Sequence, residues 1–284
     1  MLRALEVILI GIVEGITEWL PVSSTGHMIL LYELFHIDTQ DPFWSLFLVV
    51  IQLGAILAVI FMYFPRLWPF RMPDPSLSGG QKVLSVLKMP KIIMWLKIAV
   101  SCVPAAVIGL TADDWIEAHL YNYIVVALML IIYGVLFIVI ENRNRGKRAE
   151  VRKIGQISWT CALLIGVFQA LAIIPGTSRS GATILGGLLL GMSRKCASEY
   201  TFFLAIPTMF GASLLKILKF EGAMTAGQIG LLVLGMIIAF AVSVAAIRFL
   251  IGYIKKNSFS AFGYYRIGLG VVVLLFFAIR SLLS

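Results

Sequence analysis

Apolar residues run through this chain in long blocks separated by short polar links, and the length of the blocks sets the first expectation. Six of them, near 43–63, 95–112, 121–141, 196–219, 226–251 and 259–282, are long enough to cross about 30 Å of hydrocarbon as helices rising ~1.5 Å per residue. Two further segments, 4–36 and 156–192, are each split at the centre by a polar stretch containing Pro and Gly, PVSSTGH in the first and PGTSRSG in the second. Their apolar arms are mostly too short to cross. They predict helix–loop–helix hairpins that enter the membrane and turn back. The pattern as a whole predicts an all-α integral membrane protein with six transmembrane helices plus two re-entrant helical hairpins.

Composition agrees with that class. Of 284 residues, 60% are hydrophobic and 13% charged, against about 45–50% and about 25% in a soluble domain. A mean hydropathy of +0.98 leaves more apolar surface than one core can hide, so the remainder must face lipid. The net charge of +9 and pI near 9.6 could suggest nucleic acid. The basic residues, however, sit in short links between apolar spans and do not form one soluble face, so no nucleic-acid partner is expected. Cys102, Cys161 and Cys196 fall in or beside apolar segments without metal-ligand spacing and read as packing residues. Glu6, Glu14 and Glu18 interrupt the apolar N-terminus and no small-residue cleavage site follows, which argues against a removable signal peptide.

The two broken segments also align with each other. Gly11, Glu14, Pro21 and Ser24 fall against Gly166, Gln169, Pro175 and Ser178, with one residue of slippage. Three spans follow each hairpin, so each half has an odd number of crossings and the second must be inserted upside down relative to the first. The expectation is one membrane domain, 1–284, built as an inverted-topology repeat: 1–141, a basic cytoplasmic link 142–155, and the inverted second repeat 156–284. Orientation follows from lysine and arginine. The link 142–155 carries Arg143, Arg145, Lys147, Arg148, Arg152 and Lys153, and 64–94 carries Arg66, Arg71, Lys82, Lys88 and Lys91, whereas 113–120 carries Asp113, Asp114 and Glu117 and no lysine or arginine. With the basic links inside, Arg194, Lys195, Lys255 and Lys256 also fall inside and both termini lie outside.

The polar centres carry the chemistry. Glu14 and Glu18 share a helix face one turn before the break at Pro21. Two carboxylates at that depth repel unless one is protonated or a cation lies between them, and a hard divalent ion such as Mg²⁺ suits an all-oxygen site. Ser23, Ser24, Thr25, Gly26 and His27 open the returning helix. One hydroxyl can serve as an N-cap, the others are candidate substrate-binding or nucleophilic groups, and His27 is a candidate general acid or base. In the other break, Pro175-Gly176-Thr177-Ser178-Arg179-Ser180-Gly181 has the ingredients of an anion cradle: glycines for close backbone approach, helix-start amides, and a guanidinium suited to phosphate oxygens. The repeat divides labour, with Glu14 against Gln169, Glu18 against Ile173 or Ala172, and Thr25 against Arg179. Acids come from one half and the phosphate-binding cation from the other, a set suited to metal-assisted phosphoryl transfer. Gln52, Lys97, Arg248 and Arg266 are weaker signals that could snorkel, pair or line a cavity.

The segments EGITEWLPVSSTGHMIL and PGTSRSGATI, in this order and separation, resemble the undecaprenyl-diphosphate phosphatase family, also called the bacitracin resistance protein family. The resemblance implies a bacterial plasma-membrane enzyme that converts undecaprenyl diphosphate to the monophosphate carrier for wall synthesis. It also implies six spans with two re-entrant hairpins, a Mg²⁺ or Ca²⁺ requirement and a site opening to the extracytoplasmic side. Carried over by residue, the family's acidic motif falls on Glu14 and Glu18, its serine–histidine stretch on Ser24 and His27, and its arginine motif on Ser178, Arg179 and Thr183. The metal set is then Glu14 and Glu18, the catalytic set Glu18, Ser24, His27 and Arg179, and the substrate-binding set Ser23, Thr25, Gly176, Thr177, Ser178, Ser180 and Thr183. Ser24, activated by His27 or Glu18, is the favoured nucleophile, with metal-activated water as the competitor. Beyond the lipid substrate and membrane lipid, a homodimer is left open. The phosphatase pattern SRx5Hx3D does not apply, because Leu185 and Leu189 occupy its histidine and aspartate positions. A transporter or flippase of a lipid-linked phosphate is the alternative that the fold alone leaves standing.

Overall fold

A computed structural model describes residues 2–73, 76, 85–220 and 222–283, and among these the regular structure is helical. Lys82, counted in the basic link 64–94, lies outside the described residues, as do the side chains of Asp113, Asp114 and Glu117. The helices are α1 (Leu2–Thr17), α2 (Ser24–Leu34), α3 (Pro42–Leu67), α4 (Met89–Leu120), α5 (Tyr123–Asn144), α6 (Trp159–Leu171), α7 (Arg179–Leu189), α8 (Arg194–Leu218), α9 (Ala226–Tyr253) and α10 (Ser260–Leu283).

Six of these, α3, α4, α5, α8, α9 and α10, are long and apolar enough to cross a membrane, matching the six apolar blocks. The other four run from 11 to 16 residues, about 16–24 Å at ~1.5 Å per residue, and fall short of a crossing. They form two helix–loop–helix pairs, α1–α2 and α6–α7, broken where the sequence places Pro21 and Pro175-Gly176. The acidic link expected over 113–120 is corrected: α4 continues unbroken to Leu120. Its sequence TADDWIEAHL is polar but contains neither Gly nor Pro, so nothing stops the helix before Asn122, which caps α5 by accepting from the Val125 amide at 3.0 Å.

Helix starts are encoded by short polar residues. Asp41 accepts from the amides of Phe43 and Trp44 ahead of α3, with Pro42 in its first turn. Ser158 and Ser193 cap α6 and α8, and Thr225 with Gln228 forms a capping box on α9.

The packing interleaves the two halves of the chain. Helix α1 packs on α9, α6 on α4, and α5 on α10, while α3 bridges α8 and α9. Two of these contacts require glycine. A Cβ at Gly54 of α3 would stand 2.2 Å from the Met236 carbonyl oxygen of α9, and one at Gly134 of α5 would stand 2.7 Å from that of Gly263 in α10. Buried acids fasten helix ends. Glu141 of α5 accepts from Arg194 Nε of α8 at 2.8 Å and from the Phe259 amide before α10 at 2.9 Å. Glu199 of α8 is held in a two-pronged pair by Arg66 at the end of α3. The largest core cluster gathers Trp19, Phe137, Tyr200, Phe202, Phe203 and Phe259 around the second helix pair. Apolar side chains such as Leu57, Phe61, Val107, Leu128 and Val233 point outward, exposed, as lipid-facing residues must.

Candidate active site

The two breaks are built alike. Ser23 and Ser178 both adopt left-handed backbone conformations, with φ of 73° and 71°. Each is the N-cap of the following short helix, with its hydroxyl accepting from the amide three residues on, Gly26 or Gly181. A positive φ at a non-glycine residue costs about 1–3 kcal/mol and persists where the surroundings enforce it, often at functional sites. The caps also correct the expected alignment. Ser23 and Ser178 hold the same structural position at the same spacing as Gly11 with Gly166 and Glu14 with Gln169, so of the aligned pairs only Pro21 with Pro175 is out of step by one residue. Arg179 then corresponds to Ser24, not Thr25.

Glu18 joins the breaks. It lies in the turn after α1, where its amide donates to the Glu14 carbonyl at 3.0 Å. Its Oε1 accepts from Arg179 Nη2 at 2.9 Å, and its Oε2 accepts from Ser24 Oγ at 3.2 Å. A carboxylate from the first half, a hydroxyl beside it and a guanidinium from the second half are therefore in direct contact, although Glu18 and Arg179 are far apart in sequence. Arg179 is further held by donation from Nη1 to the Thr201 carbonyl at 3.2 Å, and its guanidinium carbon stands 5.8 Å from the centre of the Trp19 ring. Thr183 Oγ1 donates to the Arg179 carbonyl and accepts from Thr201 Oγ1, both at 2.9 Å, which fixes the first turn of α7. Ser178 and Ser180 pair through their hydroxyls at 3.2 Å, and Ser180 also reaches the Leu20 carbonyl of the other break at 3.4 Å.

Of the two partners expected to activate Ser24, His27 or Glu18, it is Glu18 that meets its hydroxyl. His27 Nδ1 lies 2.7 Å from the Ser23 carbonyl and its Nε2 lies 2.7 Å from the Tyr265 hydroxyl of α10. Neither ring nitrogen contacts Ser24, whose hydroxyl goes to Glu18. Thr25 sits partly buried in the first turn of α2. Gly176 has φ of 88°, and a Cβ there would stand 2.5 Å from the Val126 carbonyl oxygen, so the second loop is pressed against α5.

Arg266 of α10, only a weak signal in the sequence, binds both breaks at once. Fully buried, it donates through Nη2 to the carbonyls of Gly176 and Thr177 at 2.9 and 2.8 Å, and through Nη1 to that of Pro21 at 3.4 Å. Its charge meets carbonyl dipoles and the Tyr133 ring. A charged residue inside an apolar span was the available signal for Arg266, whereas Tyr265, Thr201 and Trp19 gave none beyond their neighbours in sequence.

Among the described residues, the buried side-chain nitrogens and oxygens that lack a hydrogen-bond partner are Glu14 Oε1, Trp19 Nε1, Gln169 Nε2, Thr177 Oγ1, Arg179 Nε and Arg266 Nε. Every one belongs to the two broken pairs or to the arginine that ties them. Each such group costs about 1–3 kcal/mol, so their concentration here marks the place where the fold keeps polar groups uncommitted. Among the described residues no group of three or more His, Cys, Asp or Glu is clustered for a metal, and of the two acids Glu14 keeps its Oε1 without a hydrogen-bond partner.

Known proteins match the whole length of the chain. It is 56% identical over 285 residues to the undecaprenyl-diphosphatase of Desulfitobacterium hafniense, covering 100% of this chain and 99% of that protein. It is 53% identical to the undecaprenyl-diphosphatase of Enterococcus faecalis, covering 98% of each, and 54% identical to undecaprenyl-diphosphatase 1 of Clostridium acetobutylicum, again covering 98% of each. The family model described as bacitracin resistance protein BacA matches residues 7–272, a stretch holding both breaks and the helices that bind them together, and the chain belongs to that family.

Proposed function

We propose that this chain is an undecaprenyl-diphosphate phosphatase of the bacterial plasma membrane, removing the terminal phosphate to regenerate the monophosphate lipid carrier for cell-wall synthesis and so conferring bacitracin resistance. The observation that carries the reading is Glu18, which accepts from Ser24 on its own break and from Arg179 on the opposite one. Acid, hydroxyl and phosphate-binding cation are thus assembled within hydrogen-bond reach, and the curated relatives at 49–56% identity bear the phosphatase name.

The residues divide the reaction as follows. Arg179 and the amides opening α2 and α7 receive the terminal phosphoryl oxygens. Ser24 Oγ attacks that phosphorus as its proton passes to Glu18, and the bond to the bridging oxygen breaks, releasing undecaprenyl phosphate. Water then cleaves the phosphoserine, returning the hydroxyl and releasing inorganic phosphate. Ser23, Thr25, Gly176, Thr177, Ser178, Ser180 and Thr183 shape and line the cradle. Glu14 and Glu18 are the residues that would hold a divalent cation, and the unpartnered Glu14 Oε1 fits that role. Mg²⁺ or Ca²⁺ held there would offset charge on the diphosphate oxygens.

The same proposal takes α1–α2 and α6–α7 as re-entrant hairpins of an inverted repeat, 1–141 and 156–284. Their short lengths, their matching serine caps and the packing of each hairpin's first helix on the middle span of the other half support it. The basic 142–155 link is then cytoplasmic and the site opens outward. A cysteine replacing the exposed Arg148 should react with an impermeant thiol reagent only after lysis; labelling in intact cells would reverse the orientation.

The activity is tested by phosphate release from undecaprenyl diphosphate by the purified protein in detergent, with and without EDTA. Stoichiometric release that stops in chelator and returns with Mg²⁺ is expected. Without a second compartment a transporter releases nothing, and full activity in chelator would remove the metal from the account.

A further inference from the structure

His27 has only two nitrogens to work with, and both are engaged. A carbonyl oxygen can only accept, so the 2.7 Å contact between Nδ1 and the Ser23 carbonyl places the ring proton on Nδ1. In the neutral ring Nε2 is then an acceptor, and the group at 2.7 Å from it, the Tyr265 hydroxyl, donates. The two rings also stack, with centroids 5.6 Å apart and planes 12° from parallel. The Ser23 carbonyl therefore sets the tautomer, and Tyr265 engages the remaining nitrogen and holds the plane of the imidazole. It does so from α10, next to Arg266, whose guanidinium holds the carbonyls of both breaks. Tyr265 is also half exposed while His27 is mostly covered.

We infer that Tyr265 is a positioning residue for the phosphatase reaction: its hydroxyl donates to Nε2 of the neutral Nδ1–H ring of His27, holds the ring plane, and yields that nitrogen when a phosphate oxygen offers the hydroxyl a better acceptor. Nε2 is then the only ring atom able to exchange a proton with substrate, and Glu18, not His27, is the base beside Ser24. The inference rests on the proposed phosphatase activity for its kinetic consequence, though not for its structural one.

The test joins a spectroscopic and a kinetic arm. In protein labelled with ¹⁵N-histidine, the His27 resonances, identified by their loss in His27→Ala among the 3 histidines, should show a protonated Nδ1 and a hydrogen-bonded, unprotonated Nε2. Tyr265→Phe should shift Nε2, which loses its hydrogen bond, while Nδ1 stays protonated against the Ser23 carbonyl. The same variant should lower kcat about tenfold, the loss of one hydrogen bond of roughly 1.4 kcal/mol, with KM little changed, while Tyr264→Phe on the exposed neighbouring ring leaves both unaltered. In a His27→Ala background, Tyr265→Phe should cost nothing further. Wild-type kcat in Tyr265→Phe overturns the inference, as does an equal tenfold loss in the His27→Ala background, which would mean that Tyr265 acts independently of the imidazole. If the wild type releases no phosphate, the proposed activity fails by itself, and unchanged nitrogen shifts in Tyr265→Phe would then overturn the inference separately.

Discussion

Glu18→Gln should lower turnover about 10³-fold while leaving the protein folded in the membrane, within the range lost with a general base. The amide keeps the size of the side chain and can still accept from Arg179 or Ser24 through its oxygen. It cannot take the Ser24 proton, and it binds a cation weakly. The 9% side-chain exposure of Glu18 means that water does not replace the carboxylate. The effect should appear in kcat more than in KM, because the lost interactions develop as the proton moves. Phosphate release and thermal unfolding measured on the same purified variant separate a chemical defect from a folding one. Near-normal turnover would take Glu18 out of the reaction and leave it as a counter-ion for Arg179.

Arg179→Lys should reduce turnover about 10²–10³-fold, near the loss of one preorganised donor at a developing charge. Lysine keeps the charge and gives up the planar fork that presents two parallel N–H groups to phosphate oxygens. In the structure that fork is divided between Glu18 Oε1 and the Thr201 carbonyl, an arrangement a point-charge ammonium does not reproduce. Arg179→Ala should do more damage. Phosphoryl transfer leaves the protein little covalent work, so positioning and charge supply most of the acceleration. A lysine variant with wild-type turnover and altered stability would show that Arg179 serves only the structure.

The apolar blocks were legible because crossing length is a local physical requirement, and the breaks were legible because Pro21 and Pro175-Gly176 interrupt otherwise continuous apolar runs. Over 113–120 polarity suggests a link, yet α4 continues to Leu120 because TADDWIEAHL has no residue that stops a helix. Within the candidate site, residue type and spacing single out Glu14, Glu18, Ser24, His27 and Arg179 as candidates. Their pairing is not legible there. Whether Ser24 faces Glu18 or His27 depends on rotamers and on α10, which lies far along the chain. Arg266 stood out only as a charge in a span, a signal shared with Arg248, and its grip on the carbonyls of both breaks follows from how the halves interlock. Tyr265 looked like any of the 9 tyrosines, because nothing local shows that its hydroxyl meets an imidazole from the opposite end of the sequence.

The claim that joins these parts is that an acid from one half and a cation from the other act as a unit. A double-mutant cycle on turnover measures this directly, using Glu18→Gln, Arg179→Ala and the combined variant, with phosphate release from undecaprenyl diphosphate as the readout. If the pair works as one site, the combined variant should be no slower than the worse single variant by more than about threefold. Losses that multiply in full, so that each substitution costs as much in the presence of the other as alone, would contradict a shared site at the meeting point of the two breaks.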